Sequence, residues 1–325
     1  MKILITGGAG FIGSHLAEYL VKKNYKVTII DNLSTGRLHN IRGFKKNIKF
    51  IKADLSKNGS WVKNLKGVKV IFHLAALADI VPSIQNPSKY FDANVVGTKN
   101  IIEAAINYKV KKIIYSASSS CYGIPKKYPT RENSKLDPKY PYALTKMIGE
   151  QILLNYGSLF NVKILSLRLF NVYGPRSRTN GTYGAMFGVF LKQKIANYPM
   201  TVIGDGKQKR DFTYIDDVVR AFAKTINYNF KVNIMNVGTG RPVTINKIVS
   251  MLNSKKIFIP KRPGEPDITS ADNSLIKKEL GWLPRVNIKD GINLLLKNLD
   301  YWKQAPLWTK KKIKVATKDW FKYLS

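Results

Sequence analysis

Tyr142 and Lys146, in the run Pro141-Tyr-Ala-Leu-Thr-Lys-Met, stand four residues apart. On a helix that spacing puts both side chains on one face, so an ammonium can lie near a phenol. A tyrosine with its ordinary pKa near 10 is a poor base at neutral pH, but a nearby cation favours the phenolate and brings it towards the working range. Such a pair can move a proton on and off a substrate hydroxyl. With 17 Tyr and 55 Lys+Arg in the chain, the same spacing also arises as a solvated helix pair, so its meaning depends on what surrounds it.

A second group has the makings of a phosphate cradle. Residues 6–13 read Thr-Gly-Gly-Ala-Gly-Phe-Ile-Gly. Gly8, Gly10 and Gly13 fit G-x-G-x-x-G, and Gly7, Gly10 and Gly13 fit G-x-x-G-x-x-G. Glycine is needed where a backbone turns tightly and approaches a pyrophosphate, with the following helix aiming its N–H groups at the phosphates. Asp31 follows 18 residues beyond the last glycine, where an acid hydrogen-bonds a ribose 2′-hydroxyl. Asn32 comes next with no adjacent arginine for a 2′-phosphate, so the expected cofactor is NAD, not NADP. A third group, Ser116-Ala-Ser-Ser-Ser-Cys-Tyr-Gly, follows an apolar run.

These residues need elements to hold them. Short runs rich in β-branched residues at 3–5, 27–30, 48–51, 68–72, 113–115 and 162–167 suit strands buried on both faces of a parallel sheet. Helical patterns lie between them: Ile12, Leu16 and Leu20 recur every four residues, and Val95, Ile102, Ala105 and Ile106 share a side. Alternation of this kind predicts βαβ units and an α/β, doubly wound parallel sheet of the Rossmann type. In such a sheet the ends of the strands carry ligand chemistry, which gives the glycine loop and the serine run their place. After about Asn171 glycine and proline become frequent, which predicts a smaller, loopier α/β lobe. The expected division is a first domain of 1–172 plus roughly 211–237, interleaved with a substrate lobe of 173–210 and 238–325.

Composition sets outer bounds. The chain has 325 residues, 55 basic and 20 acidic, a formal charge of +35, and 44% hydrophobic residues. The apolar content excludes a disordered basic arm. The cations are scattered and mostly lysine, which argues against a nucleic-acid partner. The densest stretch, Lys310 to Lys312 with Lys314 and Lys318 beside Trp308, Trp320 and Phe321, reads as a docked helix with a solvated basic face. A lone Cys121 allows no internal disulfide and suits a reducing, cytoplasmic setting. No apolar run is long enough to span a membrane, and no secretory signal is evident.

Taken in order, the blocks Thr6 to Gly13, Asp31-Asn-Leu-Ser-Thr-Gly, Asp54-Leu, His73-Leu-Ala-Ala, Asn94-Val-Val-Gly-Thr, the serine run, Tyr142 to Lys146, Arg168-Leu-Phe-Asn-Val-Tyr-Gly-Pro, Arg210-Asp-Phe-Thr-Tyr-Ile-Asp-Asp and Arg262-Pro-Gly-Glu-Pro resemble the extended short-chain dehydrogenase/reductases. Within them the chain is similar to the NAD-dependent nucleotide-sugar epimerase/dehydratase family, above all its UDP-glucose and UDP-N-acetylglucosamine 4-epimerases. The resemblance implies catalysis by Ser118, Tyr142 and Lys146, with the serine assignment open to a slip onto Ser119 or Ser120. For NAD it implies Gly7, Gly10, Phe11, Ile12, Gly13, Asp31, Asn32, Ser34, Thr35 and Gly36. It adds Asp54, Leu55, Leu74, Ala75, Ala76, Asn94, Ser116 and Phe170, together with Tyr142 and Lys146. For a UDP-sugar substrate it implies Ser118, Asn171, Val202, Arg210, Arg262, Glu265 and Thr269. Arginine suits a diphosphate because its planar fork donates paired hydrogen bonds and stays charged. No metal is assigned.

The resemblance leaves several reactions open. Dehydratases of the family carry Asp-Glu directly after the catalytic serine or threonine, whereas this chain has Ser119 and Ser120. Cys121 is out of step with the cysteine of 3,5-epimerases. Reversible oxidation at C4 through a 4-keto sugar remains, hence a 4-epimerase. Thr269 stands where glucose-restricted relatives carry a bulky tyrosine, so N-acetylated sugars are expected to fit. The alternatives are a UDP-uronic acid or another NDP-sugar, and, from a different class, a non-catalytic dinucleotide-binding protein. Segments 88–108 and 141–157 resemble helices that build a homodimer interface.

Overall fold

The computed structural model describes residues 1–177 and 185–324. Seven strands form the central sheet: β1 (Lys2–Thr6), β2 (Lys26–Asp31), β3 (Ile48–Lys52), β4 (Val70–His73), β5 (Lys112–Ser118), β6 (Lys163–Leu169) and β7 (Ile234–Val237). Their order is β7-β6-β5-β4-β1-β2-β3, and every pair is parallel. This is the doubly wound α/β sheet that the alternating runs predict. Six of the strands lie on those runs.

The seventh does not stand out in the sequence because Asn236 interrupts it. That residue is fully buried, and its amide is satisfied by the Tyr122 hydroxyl at 2.7 Å and the Thr130 carbonyl at 3.0 Å. A buried polar group is tolerated when its hydrogen bonds are made.

Successive side chains of β1 serve opposite faces of the sheet. Ile3 and Ile5 join a core with Leu16, Leu20 and Phe222, from the helices Phe11–Lys22 and Ile215–Lys224. Leu4 joins a second core with Ile101, Ile102 and Leu153, from Gly97–Asn107 and Pro141–Leu159. The chain runs outward from β1 to β3, then returns to β4 on the other side of β1. A crevice therefore opens above the carboxyl ends of β1 and β4, where ligands bind in such sheets.

Apart from β7, the strands after β6 are short and lie outside the central sheet. Met200–Ile203 lies parallel to Lys256–Ile259, and Lys209–Arg210 pairs antiparallel with Val243–Thr244. The lysine-rich end forms two helices, Lys310–Ala316 and Lys318–Tyr323. Ile313 and Trp320 point inward, and Lys310, Lys311, Lys312 and Lys314 stay exposed. Among the described residues no helix is long and apolar enough to cross a membrane.

Candidate active site

A cavity of about 650 Å³ occupies the crevice and continues between the sheet and the short-stranded segments after β6. Its first wall is the turn after β1. Gly7 has φ +69°, and a Cβ there would lie 2.7 Å from the Ala75 nitrogen. A Cβ on Gly13 would lie 2.2 Å from the Gly7 carbonyl oxygen. Only glycine lets this turn, the loop after β4 and the start of the helix close on one another. The helix Phe11–Lys22 begins at Gly10 with no side-chain cap and no acid in its first turn, leaving its positive end for an anion.

Asp31 ends β2, where its carboxylate accepts from the Ala9 N–H at 2.9 Å and the Leu33 N–H at 2.8 Å. Burial nevertheless raises its pKa above the ordinary value. Asn32 donates to Asp54 at 3.2 Å, so these two polar groups are held together beside it. Phe11, Ile12, Ser34, Thr35, Leu55, Leu74, Ala75, Ala76 and Ser116 also line the cavity.

Three of the residues expected at the cofactor stand one layer back. Gly36 packs under the Asp31 carboxylate, and a Cβ there would lie 2.8 Å from it. Phe170 is buried against Tyr122. Asn94 is buried with both amide ends used: its nitrogen donates to the Leu77 carbonyl and the Thr145 hydroxyl at 3.0 Å each, and its oxygen accepts from the Leu77 N–H at 2.8 Å. It ties the loop after β4 to the helix that carries Tyr142.

Ser118 is the last residue of β5 and Tyr142 the second of the helix Pro141–Leu159. Burial raises the Tyr142 pKa, and a hydrogen bond with Ser118 draws it back, against the repulsion of Asp79. Ser118 also meets the Ser120 hydroxyl at 2.8 Å. Ser120 in turn is hydrogen-bonded to Tyr140, whose ring lies parallel to that of Tyr142 with centroids 6.5 Å apart. Two serine–tyrosine pairs thus stand side by side, and the one that includes Tyr142 uses Ser118.

Lys146 lies one turn beyond Tyr142 on the same helix. It lines the cavity on the same helix face as Tyr142, with its ammonium 4.0 Å from the centre of the Tyr115 ring. Desolvation brings its own pKa down to about 7, with Glu150 opposing. Spacing placed the two residues on one face, whereas the buried ring of Tyr115 decides where the ammonium rests.

Across the cavity, Arg210 and Arg262 converge on Glu265, at 3.5 and 3.0 Å. Asn171 donates to the Thr269 hydroxyl at 2.9 Å, and that hydroxyl also accepts from the Asp211 N–H at 3.1 Å. All five of Asn171, Arg210, Arg262, Glu265 and Thr269 line the cavity. Val202 does not. Strand alternation turns Thr201 and Ile203 to the cavity and sends Val202 into the core, fully buried.

Among the cavity and supporting residues that carry no sequence assignment, four stand out by what they touch. Asp79, Tyr140 and Trp320 line the wall. Asp211, fully buried, accepts from the Thr239 and Gly240 N–H groups and from the Ala271 N–H, holding two loops in place. Only Asp211 lies inside a quoted block, and its burial was the missing signal.

A glycine cradle against an uncapped helix, with an acid at the end of β2 and a hydroxyl–phenol pair beyond, fits a nicotinamide dinucleotide. The class so defined is an NAD-dependent enzyme on a Rossmann-type sheet. The chain belongs to the NAD dependent epimerase/dehydratase family, which residues 3–238 match, and NAD is its cofactor. It is 34% identical over 307 residues to the UDP-glucose 4-epimerase of Mycolicibacterium smegmatis, covering 90% of this chain and 96% of that one. Its fold is similar to the UDP-glucose 4-epimerase of Thermotoga maritima solved with UDP-glucose, with TM-score 0.86 and 31% identity over 94% of this chain and 99% of that one. It is equally similar to the UDP-glucuronic acid 4-epimerase of Bacillus cereus solved with UDP-glucuronic acid and NAD, with TM-score 0.85, 35% identity and the same coverage.

Proposed function

We propose that the sugar nucleotide on which this NAD-dependent 4-epimerase acts is a UDP-hexose, with UDP-N-acetylglucosamine and UDP-glucose both accepted. The observation that carries the reading is the placement of Ser118 and Tyr142 together on the cavity wall, with Ser119 and Ser120 where a dehydratase needs acids. Gly7, Gly10, Gly13 and Asp31 would hold the dinucleotide, which when bound accepts a hydride from C4 and returns it. Tyr142 takes the proton of the sugar O4 and gives it back, and Ser118 shares the hydrogen bond to that oxygen. Burial keeps the Tyr142 phenol above its ordinary pKa, so a charged Lys146 beside a cationic ring is needed to bring out the phenolate.

Arg210 and Arg262 are suited to the diphosphate, and Glu265 holds their planes in place between turnovers. Thr269 is small and tethered by Asn171 and Asp211, which supports room for a 2-acetamido group. The second reading is a UDP-uronic acid, which the similarity to the B. cereus enzyme favours. A homodimer through segments 88–108 and 141–157 is also inferred, since Phe91 and Leu144 on them are 46% and 42% exposed. Sedimentation of the purified protein tests that inference.

NMR of the protein incubated in turn with UDP-glucose, UDP-N-acetylglucosamine and UDP-glucuronic acid tests the substrate. Inversion at C4 of the first two is expected. Turnover of UDP-glucose with UDP-N-acetylglucosamine untouched removes the acetamido reading, and loss of the C6 hydroxyl overturns epimerisation.

A further inference from the structure

Trp320 belongs to the last described helix, yet it lines the substrate end of the cavity. It is 1% exposed, and its indole N–H donates to the Pro263 carbonyl at 2.8 Å. The Arg262 guanidinium lies over its ring, 5.1 Å from the centroid. The Tyr140 ring lies 6.2 Å away on another side, and beyond Tyr140 stands Tyr142. The helix is anchored independently of these contacts: it packs on Ile80–Gln85, and Gln85 donates to Asp319 at 3.1 Å.

Arg262 is thus held from two directions. Glu265 fixes one edge of the fork at 3.0 Å, and the indole ring stands against the guanidinium from another side. An arginine on a long side chain loses much rotamer freedom when it grips a ligand, and stacking on an aromatic ring removes part of that loss in advance.

We propose that Trp320 is a positioning residue of the substrate site, setting the plane of the Arg262 guanidinium for the diphosphate. The lysine-rich C-terminal segment is then a working part of the site and not only a cover. This rests on the reading of Arg262 as a diphosphate ligand, and the experiment separates the two.

The test uses the NAD-bound enzyme, with UDP as the probe and the accepted UDP-hexose for kinetics. Trp320→Leu keeps apolar volume without an aromatic face, and Trp320→Phe keeps the face without the N–H. Trp320→Leu is expected to weaken UDP binding about tenfold, within the span of a desolvated cation–π contact, and to raise KM similarly with kcat within about threefold. Trp320→Phe is expected to restore both to within about threefold. Added to Arg262→Ala, Trp320→Leu should cost nothing further, since the contact is already gone.

UDP affinity unchanged in Trp320→Leu but weakened in Arg262→Ala overturns the proposal and leaves the Arg262 reading standing. Equal losses in Trp320→Leu and Trp320→Phe also overturn it, because the Pro263 hydrogen bond and not the aromatic face would then be what matters. If Arg262→Ala itself binds UDP as the parent does, the diphosphate reading is what fails, and the proposal falls with it.

Discussion

Glu150 grips Arg168 through both carboxylate oxygens, at 2.5 and 3.0 Å, with side chains only 1% and 2% exposed. Glu150 sits one turn beyond Lys146 on the helix that carries Tyr142, and Arg168 lies on β6. The pair fastens that helix to the sheet. Ser166 donates to Glu150 at 2.5 Å, and Arg168 donates onward to the Tyr122 hydroxyl at 2.9 Å. Removing one partner leaves a buried charge with nothing to balance it. Glu150→Gln is expected to cost about 3–5 kcal/mol of stability, read by urea denaturation. A loss below about 1 kcal/mol would show that water reaches the arginine.

Stability is expected to fall as the pH drops below about 6.5. His73 is fully buried between Thr6 and Thr98, at 2.7 and 2.9 Å, and burial lowers its pKa to about 3. Burial likewise lowers His15 to about 4. The unfolded chain protonates both near 6.5 while the folded chain keeps them neutral, so folding is favoured above that pH and disfavoured below it. Denaturation midpoints at pH 5 to 6.5 should fall with a slope that approaches about two protons. Lys146 works in the window above: the unfolded lysine holds its proton up to 10.5 and the folded one to about 7, so its contribution to stability rises with pH from about 7 to 10.5.

Gly13→Ala should abolish retention of NAD. The new Cβ would meet the Gly7 carbonyl oxygen at 2.2 Å, and backbone on both sides leaves no cheap way to yield. The dinucleotide released on denaturing purified protein measures the effect. Full NAD occupancy in the variant would place the dinucleotide elsewhere.

Tyr142→Phe is expected to lower kcat by about 10²–10⁴, the range for loss of a positioned proton-transfer group, with NAD still bound. Ser118→Ala should follow in the same direction with a smaller loss. Undiminished turnover in Tyr142→Phe would remove Tyr142 as the proton-transfer group, and no turnover in the unsubstituted protein would return the chain to the non-catalytic reading.

The glycine turn, Asp31 and the shared face of Tyr142 and Lys146 were legible in the sequence because each is set by local backbone geometry. A strand, a tight turn and a helix oblige glycine at fixed offsets, and a helical period aligns residues four apart. The parallel sheet was legible for the same reason, from apolar runs buried on both faces. β7 was not, because Asn236 breaks its run and is paid for only by partners more than a hundred residues away.

The tertiary structure alone decided which serine meets Tyr142, that Lys146 rests on Tyr115, and that Val202 faces the core while Thr201 and Ile203 face the cavity. It alone brought Trp320 onto Arg262, across 58 residues of chain. Such contacts depend on where distant segments pack, and no local period or spacing encodes that. The same holds for most of the +35 charge: sequence counts it, but only the fold shows Arg210 and Arg262 gathered at one cavity while Lys310, Lys311, Lys312 and Lys314 stay on the solvated face of a docked segment.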